Sequence, residues 1–388
     1  MDISYNLLAP GPVNLHPQVQ KALALPMIHH RTPEFDKILA RVLSRLKKVF
    51  ATEQPVFVMS ATGSGGMEAL LVNTMRPGDK VLGIDSGKFG ERWGEMVSVF
   101  SGELIRHKVD WGQAVKLSDV KRLLDTHKDI RILICQACET STAVLHPIEE
   151  LGALIRNYPN VLFLVDGITA LGALPINMDE WGIDGLVGGS QKAFMLPTGL
   201  TLFSFSKKAW GIIEKNPTPR FYFDVRRELK ANKTGETFFS SNVTLIRALD
   251  VVLDLIDENK NGLADLFSEI EKRAQFTRKY TAKLGLSLYS ERPSPSLTAL
   301  KVPTHLDGQK IRSQLEEKFK ITIMGGQDHA RGKIIRIGHM GYITWLQMKD
   351  FILALGSVLN NLDPSLCRAE DMKSLHLDML EELKKYNE

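Results

Sequence analysis

Cysteine is scarce in this chain: there are three in 388 residues, at positions 135, 138 and 367. So few thiols cannot build a disulfide framework, and they suit a reducing compartment. Cys135 and Cys138 do form C-x-x-C in "ILICQACET", but there is no second pair to complete a zinc site, and no metal is expected. Long apolar runs are lacking too. No stretch reaches the ~18 consecutive apolar residues of a membrane span. The opening "MDISYNLLAPGPVNL" has neither the basic region nor the apolar core of a signal peptide. Nor does charge of one sign dominate, since 49 basic and 45 acidic residues leave a net charge of +4. Nucleic-acid binding needs a more concentrated basic face than that. Clusters such as "RLKKVF" and "EELKKYNE" fall on predicted helix faces and read as solvated surface. These absences predict a soluble, cytoplasmic protein with no nucleic-acid or membrane partner.

What is present is ordinary in bulk, with 44% hydrophobic and 24% charged residues. The length fits one large and one smaller domain, with chain enough for a sizeable core. Residues 1–20, with Pro10, Gly11, Pro12 and Pro17, read as an extended arm. "TPEFDKILARVLSRLKKVF" follows as a helix: Thr32 can cap it, Pro33 suits its first turn, and apolar residues recur at helical spacing. Then strand candidates alternate with helical patterns: "PVFVMS", "KVLGID", "RILICQ", "VLFLVD", "DGLVGG" and "LTLFSF". That alternation predicts an α/β fold with a mostly parallel sheet covered on both faces. From about residue 244 a long helical stretch leads into short strands around "SLTALKVP", "KITIMGG" and "IIRIGHMG", with helices over 344–361 and 369–386. The predicted organisation is an arm (1–20), a large domain (21–254) and a small C-terminal α+β domain (255–388).

Three groups at predicted strand ends carry the chemistry. "PVFVMS" runs into "ATGSGGMEAL", where Thr62, Gly63 and Ser64 open a helix. Free backbone N–H groups and the positive helix end can cradle a phosphate there, or the segment is simply a tight strand–helix turn. No lysine follows these glycines as a Walker A loop requires, and Glu68 stands where a Rossmann loop has its third glycine. Asp166 ends "VLFLVD" and could hold a protonated ring nitrogen, or cap the following turn. Lys192 lies 192 − 166 = 26 residues later, in a small-residue turn between two apolar strands. Pyridoxal 5'-phosphate needs these three groups: a phosphate anchor, a carboxylate for the pyridine nitrogen and an amine for the Schiff base.

The residues resemble the class V aminotransferases of fold type I, in the branch of alanine–glyoxylate and serine–pyruvate (serine–glyoxylate) aminotransferases. The resemblance spans most of the chain, through "LLAPGPVNLHPQV", "HHRTPEF", "SATGSGGMEAL", "CETSTAVLHPI", "VDGITALGALPINMDEWGID", "GSQKAFMLPTGL" and "RIGHMG". It implies a seven-stranded large-domain sheet, pyridoxal phosphate as cofactor and Lys192 as the Schiff-base lysine. It also implies Gln191, Thr62, Gly63 and Ser64 at the phosphate, Asp166 at the ring nitrogen, Thr140 near the ring hydroxyl and Phe89 stacked on the ring. Arg336 matches the arginine that takes the substrate α-carboxylate. The family forms homodimers with shared sites, so Thr237 and Ser240 in "GETFFSSNV" are expected at the neighbour's phosphate. Two departures bear on the usual substrate: Phe238 and Asn242 replace prolines there, and Ala137 stands where many relatives have histidine. His29, His30 and His339 are expected to serve packing or hydrogen bonding.

The activity so implied moves an amino group from a small amino acid, serine or alanine, to a 2-oxo acid, glyoxylate or pyruvate. Ureidoglycine–glyoxylate transfer is an alternative, as is 2-aminoethylphosphonate–pyruvate transfer, which Arg336 disfavours because it suits a carboxylate donor. A desulfurase-like lyase would need a nucleophilic cysteine in the second domain, and only Cys367 lies late in the chain. A non-catalytic role on the same fold is opposed by the intact lysine, aspartate and arginine.

Overall fold

The computed structural model describes residues 5–366 and 369–386, so Cys367 and the first four residues of the arm lie outside it. Seven strands build the main sheet: β1 (Val56–Met59), β2 (Lys80–Asp85), β3 (Glu103–Lys108), β4 (Ile130–Gln136), β5 (Leu162–Asp166), β6 (Gly185–Gly189) and β7 (Thr201–Phe205). Their order is β1-β7-β6-β5-β4-β2-β3. The sheet is parallel except at β7, which runs antiparallel to both β1 and β6. Six of these strands are the six apolar runs of the sequence. The seventh, β3, carries Glu103, Arg106, His107 and Lys108 on the sheet edge, where charge blocks further pairing but hides the strand from a hydrophobicity reading.

The first four helices are α1 (Pro17–Leu23), α2 (Pro33–Phe50), α3 (Gly63–Thr74) and α4 (Lys88–Val99). Thr32 caps α2 as expected, its Oγ1 accepting from the Phe35 N–H at 3.3 Å. The extended arm ends at His16 rather than at residue 20, because Pro17 opens α1 with the His16 ring as its N-cap. The single long helical stretch is also two helices, Val243–Asp257 and Leu263–Lys283, parted at Gly262 with φ +59°. The first packs on α1 and α2, the second on a smaller sheet.

That smaller sheet contains β8 (Ser287–Leu288), β9 (Leu297–Lys301), β10 (Met324–Gly325) and β11 (Ile334–Gly338), all antiparallel in the order β8-β9-β11-β10. Helices Trp345–Leu362 and Ala369–Leu383 follow it. The arm ties into this part of the molecule: Asn6–Leu7 pairs in parallel with Ile321–Thr322, and the Leu8 carbonyl accepts from the Gly338 N–H at 2.7 Å.

Candidate active site

The carboxyl ends of the parallel strands and the first turn of α3 meet around a cavity of about 220 Å³. Lys192, Gln191 and Asp166 line one part of it, and Thr62, Gly63 and Ser64 another. Phe89 from the first turn of α4 and Thr140 from the loop after β4 complete the set, so eight of the expected residues share one cavity. Topology explains the convergence. Asp166 ends β5, and Lys192 sits in the turn that reverses the chain from β6 into antiparallel β7.

The charged groups in the cavity are desolvated. Burial lowers the Lys192 ammonium to about 8, against the pull of the Asp166 carboxylate. Its Nζ donates to the Pro10 carbonyl at 2.6 Å. Burial raises Asp166 to about 7, opposed by the Ile168 N–H that donates to Oδ1 at 2.9 Å and by the charges of Lys192 and Arg92. At the helix end, Thr62 Oγ1 accepts from the Gly65 N–H at 3.4 Å. Thr140 and Thr169 share a hydroxyl–hydroxyl hydrogen bond of 2.6 Å.

Arg336, on β11, is buried beside the cavity but does not line it. Its Nη1 donates to the Thr140 carbonyl at 2.8 Å and its Nε to the Gly325 carbonyl at 2.9 Å. Burial lowers its guanidinium to about 10, so it stays charged at neutral pH. Thr237 and Ser240 lie outside this cavity, in a recess with Ser60, Tyr222 and Phe239.

A family model for class V aminotransferases matches residues 16–352. The chain is a class V aminotransferase. It is 38% identical to an uncharacterized aminotransferase from Methanocaldococcus jannaschii, over 86% of this chain and 87% of the relative. It is 34% identical to the L-aspartate–glyoxylate aminotransferase of Paracoccus denitrificans, over 87% of each chain. The crystal structure of an alanine–glyoxylate aminotransferase from Nostoc sp. superimposes with a TM-score of 0.88 at 30% identity, covering 92% of this chain and 96% of that one.

The aminotransferase family brings pyridoxal phosphate as cofactor, and the residues present fit it. The first turn of α3 offers N–H groups and two hydroxyls to an anion. One oxygen of Asp166 is engaged by Ile168 and the other is left to a donor in the cavity. Gln191 lines the same cavity, and its amide N–H groups can donate to an anion. The buried amine of Lys192 lies in the same cavity.

Two residues at or beside this cavity escaped the sequence reading. Arg92 lines the cavity, its guanidinium carbon 5.0 Å from the centre of the Phe89 ring and its Nη1 3.4 Å from Ser64 Oγ. Its place three residues after Phe89 on a helix was the available signal. Glu139, fully buried, accepts from the Phe89 and Gly90 N–H groups at 3.1 and 3.0 Å, and from the N–H and hydroxyl of Ser141 at 3.0 and 2.6 Å. It thereby fastens the start of α4 to the loop that carries Thr140.

The two departures fall outside the cavity. Asn242 caps helix Val243–Asp257, its Oδ1 accepting from the Leu245 N–H at 3.1 Å, while Phe238 joins an aromatic cluster with Phe239. Ala137 faces a separate small cavity with His146 and Trp181. The histidines serve structure: His29 Nδ1 accepts from the Arg31 N–H, the His29 and His30 rings lie 4.4 Å apart, and buried His339 pairs with Thr298. Cys135 and Cys138 are buried free thiols, and burial pushes Cys138 up to about 12, far from a thiolate nucleophile.

Proposed function

We propose that this aminotransferase moves the amino group of serine or alanine to glyoxylate or pyruvate, and that it works as a homodimer. The observation that carries the reading is the buried pair of Lys192 and Asp166 in one cavity with the α3 helix end. Pyridoxal phosphate, when bound, supplies an aldehyde for amines and a ring that draws electrons from the amine-bearing carbon. Thr62, Gly63, Ser64 and Gln191 would hold its phosphate, Phe89 would pack on its ring and Thr140 would serve the ring hydroxyl. Asp166 would accept the ring N–H, and a cation there would favour the carboxylate that burial alone disfavours.

Lys192, with its amine lowered to about 8, is available as a neutral base near physiological pH and carries the proton taken from the substrate Cα. Arg336, buried beside the cavity, is assigned the α-carboxylate, through the Nη N–H groups that the Thr140 and Gly325 carbonyls do not take. Thr237 and Ser240 serve the neighbouring protomer's phosphate, which accords with their lying outside their own chain's cavity. Aspartate as donor is a second reading, favoured by Arg92 in the cavity, since a second cation can take a second carboxylate.

The test is the visible spectrum of the loaded protein during additions of L-serine, L-alanine, L-aspartate and 2-aminoethylphosphonate in turn. The expected result is loss of the cofactor–lysine band with serine or alanine and its return with glyoxylate or pyruvate. Response to aspartate alone would select the second reading. No response to any donor, with cofactor bound, would sink the transaminase assignment for these substrates.

A further inference from the structure

The arm reaches the reactive lysine itself. The Pro10 carbonyl accepts from Lys192 Nζ at 2.6 Å, in surroundings that otherwise desolvate the ammonium. Gly11 follows with φ +130°, a conformation that side chains rarely adopt. A Cβ on Gly11 would lie 2.6 Å from Nζ, 2.7 Å from Cδ and 2.8 Å from Cε of Lys192. A side chain at this position would displace the end of Lys192.

The other side of the arm is fastened to the small sheet. Leu8 accepts from the Gly338 N–H, and a Cβ on Gly338 would run into the Ala9 carbonyl. Residues 8–11 are therefore clamped between β11 and the lysine. The same strand carries Arg336 two residues before Gly338.

We propose that the N-terminal arm is a working part of the site, in which the Pro10 carbonyl receives the Lys192 amine whenever that amine is not bonded to the cofactor and Gly11 leaves the room for it. This rests on the reading of Lys192 as the cofactor's lysine. A carbonyl aimed at Nζ favours the protonated form against desolvation, and so helps set when the neutral amine is available. Because the arm is stitched to β11, any shift of the small sheet moves this acceptor together with Arg336. Pro10 and Gly11 are positioning residues that act through Lys192.

The test is a double-mutant cycle on the cofactor-free protein, with Gly11→Ala, Lys192→Ala and the pair compared by urea unfolding. Gly11→Ala is expected to lower the midpoint clearly in the native background and much less beside Lys192→Ala, where the new Cβ has room. Backbone strain at Gly11 is common to both backgrounds and cancels. A second readout is the pH profile of cofactor uptake, which needs the neutral amine. Displacing Nζ from its acceptor should shift that profile down by about one pH unit in Gly11→Ala. Equal penalties in the two backgrounds, or an unmoved profile, would overturn the inference. Should Gly11→Ala not fold, hydrogen exchange over residues 11–16 in the native chain and in Lys192→Ala reads the same contact. Faster exchange in the variant supports the inference and identical exchange overturns it. Borohydride reduction of the loaded native protein with peptide mapping tests the underlying reading separately: a label on another lysine overturns that reading and the inference with it, whatever the cycle shows about packing.

Discussion

Asp166 and Lys192 are buried with opposite consequences for pH. A carboxyl raised to about 7 holds a proton in the folded chain that the unfolded chain has lost. The cofactor-free protein should therefore lose stability as pH rises from about 4 to about 7. Lys192 acts in a later window, because its amine gives up a proton on folding, so stability should recover as pH rises above 8. Asp166→Asn keeps the acceptor for the Ile168 N–H and removes the buried charge. The cofactor-free variant is expected to be more stable than the native protein at pH 8, by on the order of 2 kcal/mol, in denaturant titrations. Transamination by the same variant should fall by roughly 100-fold or more, because the ring nitrogen loses its counter-charge. On the proposed reading, holding a cationic ring comes at the expense of the cofactor-free protein's stability.

At the scale of elements, α4 is held from outside itself. Its N-cap position, Gly87, has no side chain to offer, and the first-turn N–H groups of Phe89 and Gly90 turn to Glu139 instead. Glu139→Ala leaves those donors and the Ser141 N–H buried without a partner, and should cost about 3 kcal/mol in urea unfolding. It should also weaken cofactor retention, since Phe89 and Arg92 ride on the same helix. Asn242→Ala removes an ordinary cap and should cost only about 1 kcal/mol, with little change in turnover, by the same two assays. Helix Val243–Asp257 was legible as part of the long helical stretch, and α4 only as one of the helical patterns between strands. The partner that fastens α4 was not legible, because Glu139 lies about fifty residues further along the chain.

At the scale of the whole molecule, several large apolar side chains are exposed. Phe221 is 64% exposed and Met27 72%, and Tyr222 and Phe238 are exposed nearby in a cluster with Phe239. Segment 25–27 is fixed beside the start of helix Val243–Asp257 by Arg247, which donates to the Leu25 and Pro26 carbonyls. Tyr222 and Phe239 also line the recess that holds Thr237 and Ser240, where the proposed shared-site dimer would place the partner. A Met27→Glu/Phe221→Glu variant should sediment as a monomer and release cofactor at least ten-fold faster, while the native chain sediments as a dimer. A monomeric native chain that retains cofactor would rule out the shared site.

The sequence by itself determined six of the seven strands of the main sheet and the eight expected residues that line one cavity. Apolar runs such as "VLFLVD" and "LTLFSF" must be strands buried on both faces, because a continuous apolar segment bounded by turns has no solvated side to show. The strand-end aspartate, the small-residue helix start and the turn lysine then fall on one edge of a parallel sheet by topology alone. Only the tertiary structure decided what crosses that edge. Arg336 reaches the site through the Thr140 carbonyl, Glu139 reaches α4, and Pro10 reaches Lys192 from 182 residues away. Backbone carbonyls and N–H groups are the partners in each case, and every residue carries them alike. Periodicity can say which face of an element is buried. Which backbone group a buried charge will meet is fixed only when the two chain segments are packed together.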